Sequence, residues 1–207
     1  MTPGSAGHSG HPADLWWSLA APGYDGAVGL VGWHRWQDAL VADLSTGVVL
    51  DVGCGPAHLA GALLSRGVDY VGLDRNPAML ARAARRVDNT GPGRGHLVRG
   101  DVTALPFAAG SFDCVVATGV LGLLKPSSRQ RALREMARVA RGRVRLLEPV
   151  HRSGSPPGIA RARLLAFLRD RPIEPADLAE AGLAAEIRGP AVLAGVYSMV
   201  WATPLGS

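Results

Sequence analysis

The chain has 207 residues, of which 47% are hydrophobic and 19% are charged, and its formal net charge is +5. This composition excludes a chain that is disordered throughout, and the length falls short of the roughly 250 residues of a closed (β/α)₈ barrel. We therefore expect residues 1–207 to form a single domain.

The two cysteines, Cys54 and Cys114, belong to no Cys-x-x-Cys motif and no Cys/His cluster. Neither a disulfide framework nor a metal site is therefore predicted, and this cysteine usage is typical of the reducing cytoplasm. The longest uncharged stretch, residues 189–207, is interrupted by Pro190 and Pro204. We therefore predict no membrane span.

The basic side chains are almost all arginines, and Lys125 is the one lysine. The arginines are spread over several segments rather than gathered in one patch, so we expect no specific nucleic-acid partner. The alternative is a role in which the arginines dock a polyanion such as RNA.

The N-terminal part of the chain divides at about residue 12. Residues 1–11 are mostly Gly, Ser, Pro and His and are expected to form a flexible tail. Residues 12–46 contain four of the five tryptophans, with a break at Pro22 and Gly23. We predict two short helices here, which would form a lid over the rest of the domain.

Residues 47–150 alternate short apolar runs with amphipathic segments, a pattern typical of βα units around a parallel sheet. The predicted strands are Val48–Val52, Asp69–Leu73, His96–Arg99, Phe112–Thr118 and Arg143–Leu147. The predicted helices are Ala57–Arg66, Pro77–Val87 with Asn76 as N-cap, and Arg129–Val139.

Residues 151–207 are predicted to add two helices, Ile159–Arg169 and Glu174–Ala181, and two strands, Ala184–Arg188 and Val192–Trp201. Only a few residues separate these two strands, too few for a crossover helix, so we expect them to pair antiparallel. The fold class is therefore α/β, a doubly wound and mostly parallel sheet.

The segment Leu50-Asp51-Val52-Gly53-Cys54-Gly55-Pro56-Ala57 carries a strand into a glycine turn and then a helix. Glycines at 53 and 55 allow a ligand to lie against bare backbone, and the following helix offers unpaired N–H groups. This is typical of a nucleotide-type site. The dinucleotide fingerprint fails, however, because His58 stands where its third glycine is required.

Two further acids follow neighbouring strands. Asp74 ends the second strand, where its carboxylate can reach a ribose diol, and Asp101 follows the third strand. The carboxyl ends of parallel strands meet at one edge of a sheet, so the glycine turn and both acids are expected to line one crevice.

The segments LDVGCGPA, VGLDRNPAML, GDVTALPFAAGSFDCVV and ALREMARVARGRVRLLEP resemble the successive motifs of class I S-adenosylmethionine-dependent methyltransferases, most closely the small-molecule type. The resemblance covers about residues 45 to 150. It implies S-adenosylmethionine as cofactor and a Rossmann-like sheet of seven strands whose last strand is antiparallel.

The resemblance also implies a role for each cofactor-binding residue. The methionine part of the cofactor would lie against Asp51, Gly53 and Gly55, the ribose hydroxyls on Asp74, and the adenine amine on Asp101. The remaining predicted contacts are Cys54, the adenine-flanking Arg75 and Met79, the Val102 amide and Thr118. Two alternatives stay open: Asp51 caps the following helix, or Asp101 is only a turn residue before Thr103.

One departure from the family pattern lies beside the glycine turn. Many relatives carry a third glycine at the position of Ala57. We expect this change to be mild, because alanine is small.

The N-terminal aromatic residues are candidates for an acceptor-binding wall, and Tyr24, Trp33 and His34 are the predicted substrate-contacting residues. The alternative is that the tryptophans only attach the added helices to the sheet.

Methyl transfer is an in-line displacement on a donor activated by its own positive charge, so positioning can supply much of the rate. A hydroxyl acceptor must still lose a proton, and Glu148-Pro149-Val150-His151 leaves the fifth strand at the crevice edge. We predict Glu148 and His151 as candidate catalytic residues, with His151 as general base. Alternatively, Glu148 is a hydrogen-bond anchor for the lid and His151 a loop residue.

The expected function is methylation, most specifically O-methylation, of a small-molecule acceptor. The alternatives are an RNA- or protein-directed methyltransferase and a protein that binds S-adenosylmethionine without methylating.

Overall fold

A computed structural model describes residues 32–87, 92–151, 171–192 and 196–206. The predicted N-terminal tail, the predicted helix Ile159–Arg169, Tyr24 and the two tryptophans before residue 32 lie outside these described residues.

The described strands and helices follow one another along the chain in the order that the sequence predicts. The strands are β1 (Val48–Val52), β2 (Asp69–Asp74), β3 (Gly95–Arg99), β4 (Phe112–Thr118), β5 (Ala140–Pro149), β6 (Leu183–Val192) and β7 (Tyr197–Pro204). The helices are α1 (Trp33–Leu40), α2 (His58–Leu64), α3 (Pro77–Val87), α4 (Pro126–Val139) and α5 (Pro175–Glu180), and a 3₁₀ turn covers Leu121–Leu123.

The strands form a seven-stranded sheet in the order β3-β2-β1-β4-β5-β7-β6. The pairs from β3 to β5 are parallel, whereas β7 is antiparallel to both β5 and β6. The predicted α/β fold with an antiparallel last strand is therefore confirmed. The short connection forces β6 and β7 to pair antiparallel, because it cannot hold a helix that would return the chain to the end of the sheet where β6 begins.

The central strands are apolar on both faces because helices cover both faces. Leu50 of β1 packs in the same core as Leu133 of α4, while its neighbour Val49 packs in the opposite core with Leu63 of α2. Each fully buried leucine contributes roughly 1.5 to 3 kcal/mol relative to an exposed one. Neighbouring side chains of β1 thus pack into two different cores, one on each face of the sheet.

Prolines and caps decide where the helices begin. Asn76 caps α3 as predicted, since its Oδ1 accepts a hydrogen bond of 2.9 Å from the Ala78 N–H. α4 begins at Pro126, earlier than the predicted Arg129, because a proline with its fixed φ suits the first helical turn. α5 begins at Pro175 behind a capping box formed by Glu174 and Asp177.

Strand pairing moves the bounds of the last strands. β5 runs over Ala140–Pro149 rather than Arg143–Leu147, because residues on both sides of the predicted run pair with β4 and β7. Val192, the predicted start of the last strand, belongs to β6 and pairs with Tyr197 of β7. β6 therefore extends further along the chain than predicted.

The chain winds outward from β1 to β3 and then returns to β4 on the other side of β1. Such a reversal of strand order leaves a crevice outside the carboxyl ends of the strands, where ligands of open α/β sheets bind. In the described ranges, no helix combines the length and the apolar character needed to cross a bilayer.

Candidate functional site

A crevice of about 420 Å³ opens at the carboxyl ends of the central strands, where the strand order reverses. It brings together most of the predicted site residues from distant parts of the chain. Those that line it are Trp33, Gly53, Cys54, Gly55, Asp74, Arg75, Met79, Asp101, Val102 and Thr118. Asp51, His34, Glu148 and His151 are not among its described lining residues.

The glycine turn forms the floor of the crevice, and its two glycines have different tasks. Gly53 has a φ of +68°, and a Cβ there would lie 2.6 Å from Cγ2 of Val120, so only glycine lets the post-β4 segment pack this closely. Gly55 has a φ of +53°, and a Cβ there would meet no atom within 4 Å. The backbone at Gly55 therefore faces open space, and no side chain covers it on this side.

Ala57, the departure from the family pattern, adopts the left-handed conformation with φ 59° and ψ 50°. This conformation costs an L-residue roughly 1 to 2 kcal/mol, so the position strains alanine and suits glycine. The change is thus less mild than the size of alanine predicts. It also ends the turn sharply, and α2 begins one residue later than the predicted Ala57.

Asp74 at the end of β2 is held by two backbone N–H groups. Gly55 donates a 2.9 Å hydrogen bond to Oδ2, and Asn76 donates a 2.8 Å hydrogen bond to Oδ1. Burial raises the pKa of Asp74, and the hydrogen bonds from Asn76 and Gly55 oppose this effect. Each carboxylate oxygen has a second lone pair, so a pair of adjacent hydroxyls suits this group.

Asp101 also lines the crevice, and it makes the turn contacts with Thr103 that the alternative interpretation predicts. Its Oδ1 accepts 2.8 Å hydrogen bonds from the Thr103 N–H and from the Thr103 hydroxyl. Although burial opposes the change, these bonds lower the pKa of Asp101. An ionised acceptor beside the Val102 backbone suits a ligand with an exocyclic amine.

Asp51 lies beneath the glycine turn rather than in the lining. Its residue is 2% exposed, and its Oδ2 accepts a 2.8 Å hydrogen bond from the Tyr70 hydroxyl. No side-chain hydrogen bond caps α2, so the alternative in which Asp51 caps that helix is wrong. Oδ1 of Asp51 is buried without a hydrogen-bond partner among the described residues. An orphaned buried carboxylate oxygen at this place fits a ligand that carries a positive charge.

Part of the remaining lining is apolar and comes from α1 and from the segment after β4, although Gln37, Lys125 and Ser128 line the crevice as well. Trp33 packs edge-on against Tyr197 with ring centroids 4.8 Å apart, and it lines the crevice. Val120, Leu123 and Leu124 continue this apolar wall. Trp33 therefore attaches α1 to the sheet, as the alternative predicts, and it also lines the crevice, while its contact with an acceptor stays a prediction.

Sequence reasoning missed Gln37, which lines the crevice although its residue is only 7% exposed. Its Nε2 donates a 2.9 Å hydrogen bond to the Thr118 hydroxyl, and its Oε1 lies 3.2 Å from Nδ1 of His34. The ring of His34 also lies 4.0 Å, between centroids, from that of His58, a lining residue. A glutamine on the buried face of a predicted amphipathic helix was the available signal.

The two predicted catalytic residues are placed elsewhere. Glu148 is fully buried, and its carboxylate accepts three backbone N–H groups, from Val120 at 2.8 Å, Leu121 at 3.0 Å and Gly122 at 3.1 Å. It anchors the segment after β4, which corrects its interpretation as an acid or base at the crevice.

His151 leaves β5 and turns toward α5 instead of the crevice. Its Nδ1 lies 3.5 Å from Oε2 of Glu174, and its backbone N–H bonds to Ile173. The expectation that it faces the crevice is therefore wrong, because pairing with the segment before α5 decides the direction in which the chain leaves the strand.

Comparison with known proteins adds an independent result. Residues 49–142 match the protein-family model described as a methyltransferase domain. This match confirms the resemblance to methyltransferases found in the sequence.

Two curated relatives match shorter parts of the chain. A methyltransferase of uncharacterized activity from Mycolicibacterium gilvum is 42% identical over 72 residues, which cover 35% of this chain and 27% of the relative. A demethylmenaquinone methyltransferase from Beutenbergia cavernae is 38% identical over 99 residues, which cover 48% of this chain and 38% of the relative. The chain thus spans less than half the length of these relatives.

A solved structure shows the same fold over most of the chain. Magnesium protoporphyrin IX methyltransferase from Synechocystis, crystallised with bound S-adenosylmethionine, superposes with a TM-score of 0.61 at 18% identity. The superposition covers 97% of this chain and 86% of that one.

Proposed function

We propose, from the methyltransferase domain at residues 49–142, that the chain transfers a methyl group from S-adenosylmethionine to a small-molecule acceptor. One observation carries the proposal: a single crevice joins a polar half to an apolar half. The polar half contains the glycine turn, Asp74 and Asp101, and the apolar half contains Trp33 and Leu123 with their neighbours. A nucleoside cofactor suits the first half, and an apolar acceptor suits the second.

Within this proposal each polar group has one part of the cofactor to hold. The bare backbone at Gly53–Gly55, with Cys54, would hold the methionine part above Asp51. Asp74 would accept both ribose hydroxyls, and Asp101 with the Val102 N–H would hold the adenine edge. Arg75 and Met79 would flank the adenine ring, with Thr118 on the side of β4.

The bound cofactor supplies a methyl group activated by a sulfonium charge. The chain then has to hold the acceptor in line and keep water out, and such positioning can account for much of the rate. The apolar wall of Trp33, Val120 and Leu123 suits a flat or apolar acceptor body. The demethylmenaquinone methyltransferase match supports an acceptor of this kind.

We propose a hydroxyl as the acceptor group, with an imidazole pair at the crevice as the candidate acceptor of its proton. His58 lines the crevice, and His34 stacks on it with ring centroids 4.0 Å apart. The imidazole pair takes over the role that the sequence suggested for His151. A proton acceptor in place contributes roughly 10² to 10⁴ in rate.

The test is a panel of phenols, aliphatic alcohols and carboxylic acids incubated with the protein and S-adenosylmethionine and analysed by mass. We expect one class to gain a single methyl group, and the Asp74→Ala variant to give none. A protein that binds S-adenosylmethionine and methylates no small molecule would contradict the proposal.

RNA binding distinguishes the proposed function from its main alternative, an RNA-directed methyltransferase. Spread arginines predict weak RNA binding that is lost at physiological salt, because counterion release dominates such contacts. A dissociation constant that stays submicromolar for one RNA at that salt would place an RNA acceptor ahead of a small molecule.

A further inference from the structure

A polar cluster lies buried under the glycine turn, at the edge of the core between the sheet and α2. It consists of Asp51 on β1, Tyr70 on β2 and Cys54 in the turn, and all three residues are buried. The Tyr70 hydroxyl donates its 2.8 Å hydrogen bond to Oδ2 of Asp51, while Oδ1 has no partner among the described residues. One oxygen of the Asp51 carboxyl group, Oδ1, therefore has no hydrogen-bond donor among the described residues.

A glycine makes room for this cluster. Gly72 is the β2 residue in register with Asp51, and a Cβ there would lie 2.9 Å from the Tyr70 hydroxyl and 3.0 Å from Cys54 Sγ. Any larger residue at 72 would displace the tyrosine or the cysteine. The site is thus shaped to hold a hydroxyl against a buried carboxyl group.

The groups packed around Asp51 supply no positive charge. The described titratable groups that act on it are Tyr70 and Asp74, and its β4 partner in register, Val116, is apolar. Burial raises the pKa of Asp51 to about 7, the Tyr70 hydrogen bond opposes this, and the nearby charge of Asp74 reinforces it. An isolated ionised carboxylate is costly in such a place, so the protonated form is favoured below about pH 7 until a cation arrives.

We propose that Asp51 releases its proton to solvent when the cofactor's positively charged methionine part binds, and that Tyr70 is the positioning residue that holds the resulting carboxylate. This inference rests on the proposed function, because it takes S-adenosylmethionine as the ligand above the turn. The step is a simple ionisation: the O–H bond of the carboxylic acid breaks, the proton goes to the buffer, and the carboxylate faces the cation.

Proton release links cofactor affinity to pH. A cation within about 4 to 6 Å lowers the pKa of a carboxyl group, so binding favours the ionised form and acid weakens binding. For one such group, the affinity relative to a variant that cannot ionise falls about tenfold between pH 8 and pH 6.

Calorimetry with S-adenosylmethionine tests this, with binding measured between pH 6 and pH 8 in buffers of different ionisation enthalpy. The matched variant is Asp51→Asn, which keeps the shape and cannot ionise. The cofactor's own amino group titrates near pH 8 and contributes equally to both proteins. We expect the parent to release more protons than Asp51→Asn near pH 6.5, and the affinity ratio to change about tenfold over the pH range.

Tyr70→Phe provides the second variant and tests the positioning role. Because the hydroxyl favours the carboxylate form, its loss should move the pH at which affinity is half-maximal upward. A packing role alone would lower stability and leave this midpoint where it was. Adenosine, which carries the ribose and base without the cation, should bind without the proton release attributed to Asp51.

The outcomes separate the two proposals. If S-adenosylmethionine binds to the parent and Asp51→Asn releases as many protons as the parent, the proton linkage is overturned and the proposed function stands. An unchanged midpoint in Tyr70→Phe removes the role of Tyr70, even if Asp51→Asn does not fold. If the parent does not bind S-adenosylmethionine at any pH, the proposed function fails first and the inference fails with it.

Discussion

Gln37 of α1 donates a 2.9 Å hydrogen bond to the hydroxyl of Thr118 at the carboxyl end of β4, across 81 positions of the chain. Both residues line the crevice, so this bond ties the N-terminal helix to the rim of the proposed cofactor site. The wall that carries Trp33 therefore depends on a contact between two distant segments.

A double-mutant cycle of Gln37→Leu and Thr118→Val measures this bond. We expect a coupling of roughly 0.5 to 1.5 kcal/mol in the free energy of unfolding, determined in urea. Gln37→Leu combined with Ser111→Ala, at the other end of β4, should show additive effects. Additivity for the Gln37 and Thr118 pair as well would mean that the bond contributes nothing.

Asp74→Ala should weaken S-adenosylmethionine binding at least about tenfold, because each charge-assisted hydrogen bond lost is worth roughly 1.5 to 3 kcal/mol. Asp69→Ala is the matched control: this aspartate begins the same strand and accepts a bond from the Arg94 N–H, away from the crevice. Calorimetry should show nearly parental affinity for the control. Equal losses in both variants would remove Asp74 from the cofactor site.

The two turn glycines should respond differently to alanine. Gly55→Ala should fold with a loss of roughly 1 to 2 kcal/mol for its left-handed φ and should lose cofactor affinity, because the new methyl group enters the open space of the crevice. Gly53→Ala should lose more stability, since its Cβ would clash with Val120. Urea unfolding and calorimetry check both. Parental affinity in Gly55→Ala would show that the cofactor does not lie on this turn.

Glu148→Ala should lower the free energy of unfolding by about 3 to 5 kcal/mol, because three backbone N–H groups lose their buried acceptor and each one left unsatisfied costs roughly 1 to 3 kcal/mol. His151→Ala should change it by less than about 0.5 kcal/mol, since its contact with Glu174 lies at the surface. With the acceptor found by the panel, His151→Ala should retain kcat within about twofold. A large loss of kcat at parental stability in either variant would restore the catalytic interpretation.

The stability of the protein should depend on the ionisation of Asp51. Its pKa is about 7 in the folded chain against an ordinary value of 3.8, so the unfolded state ionises first as pH rises. Relative to Asp51→Asn, the parent should therefore lose stability between about pH 4 and pH 7, by up to about 4 kcal/mol. Urea unfolding of both proteins at pH 5 and pH 8 measures this loss, and an identical difference at both pH values would contradict it.

The local pattern of residues was sufficient to place the strands that build the crevice. β1 and β4 have the predicted bounds, Val48–Val52 and Phe112–Thr118, because buried parallel strands read as unbroken apolar runs. Asp74 and Asp101 were predictable for the same reason, since the carboxyl ends of adjacent parallel strands must meet. The antiparallel pairing of the last two strands followed from the length of one connection, and the antiparallel orientation of the last strand in the sheet from the family resemblance.

Contacts between distant segments could not be read in this way. Glu148 has the residue type of a catalytic acid and a position at the end of a strand. Its three hydrogen bonds from backbone N–H groups come from another segment and exist only in the folded chain. The partners of Gln37 and Tyr70 lie on other elements, so their roles depend on how helix and strand pack.

The sequence by itself thus determined where the strands lie along the chain and the edge at which the acids meet, because periodicity and chain connectivity are local properties. The tertiary structure decided which polar side chains face the crevice and which are buried with a backbone partner. It also decided the ionisation of Asp51, because burial and the electrostatic surroundings of a carboxyl group exist only once the sheet is assembled.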